Sequence, residues 1–344
     1  MKVLAWPAFK TRYKNPYNWL LYSSMVELGV QVEEFSPRRL LVSRYDVVHL
    51  HWPAETIVRH PVRLIASLRV LVFVGLLRWC RWRGAVIFWT IHDRQPHVLL
   101  HADLARRCET QLGKLVDATI RLCRIRSAVE LPSILAAKPS FVIPHGHYRD
   151  AYPNQISRFE ARRYLGVPPQ SRVLLYFGYI SPYKNVPQLI QTVTHIVDDN
   201  LVLLVAGKPD NGTIQKELQA TTDPRVHLHL KYIPDAEVQL FYQAADLVVL
   251  PFRSILNSGS TLLALSFKRP VLVPAMGALP EWQAHCGQHW VRTYEGGLNA
   301  EILLSAMQQP DLPGERDRLD LGKWDWSLLA QHTLEAYQAV GGPG

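Results

Sequence analysis

Residues 246–274, DLVVLPFRSILNSGSTLLALSFKRPVLVP, hold a complete strand, turn, helix and strand. DLVVLPF and RPVLVP are short uninterrupted apolar runs, the pattern of strands covered on both faces in a parallel sheet. Between them, Asn257, Ser258, Gly259, Ser260 and Thr261 precede an apolar helical stretch. Hydroxyls and bare amides at a helix start can admit a phosphate, and Gly259 removes the side chain that would block approach. Plain N-capping by Asn or Ser accounts for the same residues without a ligand.

Upstream, RVLLYFG, NVPQLIQTV, NLVLLVAG, TIQKELQA, RVHLHL and DAEVQLFYQAA continue the strand–helix alternation. In FGYISPYKN (177–185) the strand ends at Gly178, Lys184 adds a point charge, and a helix starts near Asn185 or Val186. A lysine beside an ordinary turn is the plain alternative. Two such strand ends together favour an anionic ligand. The last segment, KWDWSLLAQHTLEAYQAV, has helical spacing and predicts a closing helix.

The first half repeats the alternation with KVLAWP, VQVEEF, DVVHLHW, AVIFWTIHD, ATIRLC and SFVIPHG as strands. Residues 151–171, with YPNQ and GVPPQS, break the periodicity and are expected to form a linker. The fold class expected is α/β, two Rossmann-like doubly wound parallel sheets facing a cleft, over residues 1–165 and 171–323, with a helix at 324–340 returning to the first.

A chain of 344 residues with 48% hydrophobic and 19% charged content suits two folded domains rather than disorder. The net charge of +9 is uneven: residues 1–170 carry 25 Lys and Arg against 12 Asp and Glu, and residues 171–344 carry 13 against 17. A basic face serves nucleic acid, anionic lipid or a phosphorylated substrate. Four dispersed cysteines, Cys80, Cys108, Cys123 and Cys286, form no CxxC pair, which fits a reducing cytosol. No signal peptide or membrane span is expected from the sequence.

FGYISPYKN, VLLVAGK, VHLHLKYIPDAEVQLFYQAADLVVLPF, GSTLLALSFKRPVLVP with GALPE, and HWVRTYEGG resemble, in that order, the second domain of GT-B glycosyltransferases, in particular the glycosyl transferases group 1 family. The resemblance implies that Gly178 and Lys184 touch a donor pyrophosphate, with the turn from Asn257 to Thr261 and Arg253 as further donor contacts. It also marks departures. Tyr179 and Ile180 stand where the family has an arginine after the glycine, and Ile255 and Leu263 stand near the positions of its paired glutamates. Glu281 is the acid left to compensate.

In the first half, DVVHLHWPAE, AVIFWTIHDRQPH and VIPHGHYRDAYP resemble bacterial exopolysaccharide and glycolipid glycosyltransferases, β-mannosyltransferases among them. Asp93 occupies a place where those relatives often carry asparagine. His92 and Asp93 are accordingly the catalytic candidates, and Asn15, His51, Trp52, Glu55 and His145 the acceptor-binding ones. Transfer with inversion needs a base such as Asp93 or Glu55, whereas with retention His92 would mainly bind the donor sugar. A hydrogen-bonded His–Asp pair at a strand end, and simple capping by Asn15, are the structural alternatives. No metal-ligand spacing or DxD motif occurs, so no metal and no cofactor are expected, the nucleotide sugar being a substrate.

The expected activity is therefore hexosyl transfer from a nucleotide-diphosphate donor, GDP-mannose before a UDP-sugar, to a saccharide or lipid-linked saccharide for surface polysaccharide. A sugar-nucleotide epimerase of this fold and a degenerate non-catalytic subunit are the alternatives, with a nucleic-acid binder behind them for want of any signature. The stretch HPVRLIASLRVLVFVGLLRWCRWRG (60–84) reads as a buried crossover helix over 64–77 whose arginine-rich end can touch an anionic membrane. The expected location is cytoplasmic and peripheral on the inner face of the plasma membrane.

Overall fold

A computed structural model of the chain describes residues 1–13, 15–92, 100–124, 133–308 and 319–341, the side chains of Glu55 and Ser133 excepted. It divides into two compact units, Met1–Gly146 with Lys323–Gly344, and His147–Gly322.

In the first unit the strands are β1 (Lys2–Trp6), β2 (Gln31–Glu34), β3 (Val47–His51), β4 (Val86–Ile91), β5 (Ala118–Arg121) and β6 (Ser140–Val142). They form a parallel sheet in the order β2-β1-β3-β4-β5-β6. In the second unit β7 (Arg172–Phe177), β8 (Leu201–Ala206), β9 (Val226–His229), β10 (Leu247–Val249), β11 (Val271–Pro274) and β12 (Val291–Tyr294) form another, ordered β12-β11-β10-β7-β8-β9. RVLLYF and LVLLVA are buried almost throughout because helices cover both faces, which is why they show no polar alternation. The direction of strand addition reverses between β1 and β3 and between β7 and β10. Open α/β sheets bind ligands outside the carboxyl ends of their strands at such points.

The closing helix, Trp326–Gly341, lies against helix Tyr17–Glu27, and Trp326, Leu329, Ala330 and Tyr337 join the core of the first unit.

The stretch expected as a linker is structured and belongs to the second unit. Helix Arg158–Tyr164 starts at a capping box in which Ser157 Oγ accepts from the Glu160 amide and the Glu160 carboxylate accepts from the Ser157 amide. Arg162, fully buried, donates to the carbonyls of Ala244, Pro169 and Ser171 and to the Asp246 carboxylate, which also accepts from Val173 N–H. One buried guanidinium thus ties this segment to the entry of β7. Proline content concealed it because the tie is polar and long-range. The unit boundary falls earlier, after Gly146, and Tyr148 N–H already donates to Ser266 Oγ of the second unit.

A second departure concerns helix Arg63–Trp82. Ala66, Val70, Phe73, Val74, Leu77 and Cys80 are buried as expected of a crossover helix, but Leu64, Leu68, Leu71, Val72, Trp79 and Trp82 are exposed. At 100° per residue the exposed set lies opposite the buried one, so the helix has two apolar faces and only one is covered.

Candidate active site

At the order reversal of the second sheet, three strand ends converge. β7 ends in Gly178, whose N–H donates to Ala206 C=O at 3.0 Å and whose φ of +130° suits glycine. The chain then makes a single turn, Pro182–Lys184, before helix Val186–Thr194. Beyond β10, Arg253 returns to this turn: its N–H donates to Tyr183 C=O at 2.8 Å and its Nε to Asn185 Oδ1 at 2.9 Å. Lys184 Nζ lies 4.6 Å from the centre of the Phe252 ring. Lys184 and Arg253 are therefore neighbours although 69 residues apart in sequence.

Helix Gly259–Ser266 opens from the same loop. Ser258 Oγ accepts from Thr261 N–H at 3.1 Å and from Thr261 Oγ1 at 3.0 Å, so Ser258 and buried Thr261 form the N-cap. The plain reading of these two residues is thereby met by the chain itself. Ser260 points elsewhere: its Oγ would lie 3.2 Å from a Cβ on Gly178, which puts the helix start against the end of β7. Glu281 sits in the first turn of helix Leu279–Cys286, after β11. Gly277, at φ +57°, lets the Leu256 carbonyl approach to accept from Ala278 N–H at 2.9 Å, a gap that a side chain would close. Ile255 and Leu263 are apolar, so no carboxylate stands at either position. Tyr179 Oη donates to Asp210 Oδ1 at 2.7 Å and Ile180 is buried, so no cation replaces the missing arginine there.

Two side chains in these loops stand out energetically. Asn257, 7% exposed, finds no protein partner for either amide atom, and Ser181, 6% exposed, finds none for its Oγ. A buried unpaired polar group costs about 1–3 kcal/mol, which a ligand or water that bonds to it would recover. Ser181 was not singled out by sequence; its place inside FGYISPYKN was the available signal.

The first unit has its own constellation at the β1/β3 reversal. The loop after β1 lacks glycines because the Glu34 carboxylate shapes it, accepting from the amides of Phe9 and Lys10 at 2.9 and 3.1 Å and of Ala8 at 3.3 Å. Asn15 Oδ1 accepts from Tyr17 N–H at 3.0 Å, the local turn bond expected of a helix start. His92 follows β4, and Trp52, left-handed at φ 49°, stacks on it with 3.8 Å between ring centres. His145 is buried against Tyr17 and Trp326, with Nδ1 2.8 Å from Gly146 O. Asp93 and the Glu55 side chain lie outside the described residues.

His51 is corrected in role. It is wholly buried, with Nε2 2.6 Å from Tyr22 Oη and Nδ1 2.8 Å from His92 Nε2, so it supports His92 from behind and has no surface to offer an acceptor. Next to it, His49 Nδ1 is 2.8 Å from Tyr22 Oη and 2.6 Å from Tyr337 Oη, and its Nε2 is 2.7 Å from Thr90 Oγ1. Burial pushes the His49 pKa down to about 3, and desolvation followed by its histidine neighbours holds His51 well below the usual imidazole range. Both rings are neutral. Tyr22 and Tyr337 were missed, since only packing brings a residue of the closing helix under β3.

The model of the glycosyl transferases group 1 family, "Glycosyl transferases group 1", matches residues 157–292. GDP-mannose:glycolipid 4-beta-D-mannosyltransferase of Xanthomonas campestris pv. campestris is 32% identical over 335 residues, covering 96% of this chain and 90% of the relative. D-inositol 3-phosphate glycosyltransferase of Corynebacterium glutamicum is 27% identical over 77% of this chain and 65% of its own. Among solved structures, Anabaena Alr3699/HepE in complex with UDP and glucose aligns at a TM-score of 0.67 with 14% identity, covering 98% of this chain and all of that one. Sucrose-phosphate synthase from Thermosynechococcus elongatus aligns at 0.62 with 15% identity, over 99% and 94%. The structural likenesses establish a shared GT-B fold. Since the sequence match to a mannosyltransferase runs nearly end to end in both proteins, the chain belongs to the glycosyl transferases group 1 family.

Proposed function

We propose that the protein transfers mannose from GDP-mannose to a glycolipid acceptor, with the strand-end loops around Lys184 and Ser258 holding the donor diphosphate and with His92 and Asp93 as the catalytic candidates. The carrying observation is the pair of buried polar side chains without protein partners, Asn257 and Ser181, in loops that also bring Lys184, Arg253 and a helix N-terminus together. An ammonium, a guanidinium, bare amides and unpaired polar groups are the donors that a diphosphate satisfies. As the bond from the anomeric carbon to the β-phosphate oxygen breaks, charge grows on that oxygen, and preorganised donors lower the barrier. The acceptor hydroxyl oxygen forms the new bond. A β-linked product from an α-linked sugar nucleotide means inversion, and Asp93 takes the hydroxyl proton.

Donor identity is tested by calorimetry with GDP, UDP and ADP, followed by turnover of GDP-mannose. GDP is expected to bind at least about tenfold tighter than UDP, roughly 1.4 kcal/mol. Equal or absent binding of all three would refute the donor assignment.

We place the protein on the cytoplasmic face of an anionic membrane, where a glycolipid is presented, through the outward face of helix Arg63–Trp82. No helix among the described residues is long and apolar enough to cross a bilayer. Leu64, Leu71 and Trp82 are 79, 70 and 77% exposed, and Arg69 and Arg78 lie on the same helix, which has no acidic residue. A second copy packed on this face would set arginine against arginine, whereas anionic headgroups complement it. The protein should sediment with phosphatidylglycerol-containing vesicles, and Leu68→Asp with Leu71→Asp should cut the bound fraction at least about tenfold, since each leucine contributes about 1.5–3 kcal/mol when buried. Indifference of the native protein to such vesicles, or a dimer broken by the same substitutions, would overturn this placement.

A further inference from the structure

Asn185 stands at the N-cap of helix Val186–Thr194 and does not cap it. In the same unit Asn211, extended at φ −149°, does what asparagine ordinarily does before a helix: its Oδ1 accepts from the Thr213 and Ile214 amides, each at 3.0 Å. Asn185 is left-handed, at φ 57°. Its Oδ1 accepts no helix amide and takes instead the Nε–H of Arg253, 68 residues away, at 2.9 Å.

Arg253 is thereby held at both ends of its stem. The main-chain N–H donates to Tyr183 C=O at 2.8 Å, and the Nε bond to Asn185 sets the guanidinium itself. Its two Nη groups make no hydrogen bond, and no carboxylate among the described residues pairs with it, although Lys184 brings a second positive charge into the adjacent turn. A guanidinium anchored through Nε presents those Nη groups as a fork that matches two oxygens of a phosphate. Buried Ser181 and Asn257, which lack protein partners, lie in the same two loops.

We infer that Asn185 is a positioning residue that orients Arg253 onto the donor diphosphate, and that Arg253, so held, stands in for the arginine missing after Gly178, where Tyr179 and Ile180 occur. This deepens the proposed donor reading and rests on it. The same anchor keeps the guanidinium in its own place, so Arg253 adds to the Lys184 charge without being able to replace it. A glycine would suit the left-handed backbone at 185 equally well, but it has no side-chain oxygen with which to hold an arginine.

The test is a double-mutant cycle on GDP affinity, measured by calorimetry on the full-length protein. Asn185→Gly keeps the φ of 57° without strain and removes only the side chain. GDP affinity is expected to fall about three- to tenfold in Asn185→Gly and about tenfold or more in Arg253→Ala, with thermal unfolding of both within a few degrees of the native protein. Because Asn185 acts through the guanidinium, the double variant should bind GDP within about twofold of Arg253→Ala alone. Losses that multiply in the double variant, as a merely structural role in the turn bearing Lys184 would produce, would overturn the positioning role. So would GDP affinity within about twofold of native in either single variant. Guanosine, which has no phosphate, should bind all four proteins alike, and a loss for guanosine as large as that for GDP would refute the diphosphate contact. Failure of the native protein to bind GDP at all would refute the donor reading and this inference with it, whereas native binding that survives Arg253→Ala would refute the inference alone.

Discussion

Replacing Lys184 by alanine is expected to lower kcat for sugar transfer by about 10²–10³-fold, the loss typical of removing one preorganised donor to a developing oxyanion. The expectation is at the upper end because the site has little with which to compensate. No arginine follows Gly178, and Arg253 is already engaged with Asn185 Oδ1. The Lys184 ammonium also has a defined seat over the Phe252 ring. Its position is therefore built into the fold of the second unit. Lys184→Arg should recover only part of the rate, since a planar guanidinium on a longer stem does not reproduce a point charge in that seat. Steady-state kinetics with GDP-mannose, alongside thermal unfolding to show an intact fold, make the measurement. A fall of less than about threefold in Lys184→Ala would remove the residue from the proposed machinery.

Gly207→Ala should do comparable damage by a different route. A Cβ at Gly207 would stand 1.8 Å from the Gly178 carbonyl oxygen and 2.7 Å from its carbon, both backbone atoms that cannot swing aside. The Gly207 φ of +153° is also one that residues with side chains rarely adopt. Relief requires the ends of β7 and β8 to part, which costs the bond from Gly178 N–H to Ala206 C=O and displaces the turn bearing Lys184. Strain and overpacking together amount to roughly 2–5 kcal/mol, or a fall in Tm of about 5–15 °C for a domain of this size. GDP affinity should fall with it. Gly212→Ala, at the start of helix Gly212–Gln219 with nothing within 4 Å of the added methyl, provides the control and should be close to neutral. If both substitutions behave alike, the close approach of Gly178 and Gly207 does not govern the donor site.

Much of this was legible from local pattern. Apolar runs such as RVLLYF and LVLLVA can only be strands covered on both sides, and the serine- and glycine-rich turn before TLLALS can only start a helix. The same reasoning failed where a residue's partner is remote. Prolines suggested a linker at 151–171, yet buried Arg162 binds that segment to Asp246. Helix Arg63–Trp82 is apolar on both faces, and periodicity does not say which face the sheet covers.

Local side-chain chemistry and spacing along the chain thus determined the two parallel sheets, the strand ends that carry polar residues, and the family to which they point, because each depends on neighbours within a few positions. Tertiary structure alone decided that Arg253 and Lys184 share a corner, that His51 stands behind His92, and that Tyr337 of the closing helix meets His49. Those are hydrogen bonds and close contacts between residues tens to hundreds of positions apart, formed only when packing removes water and leaves buried polar atoms to find partners in one another.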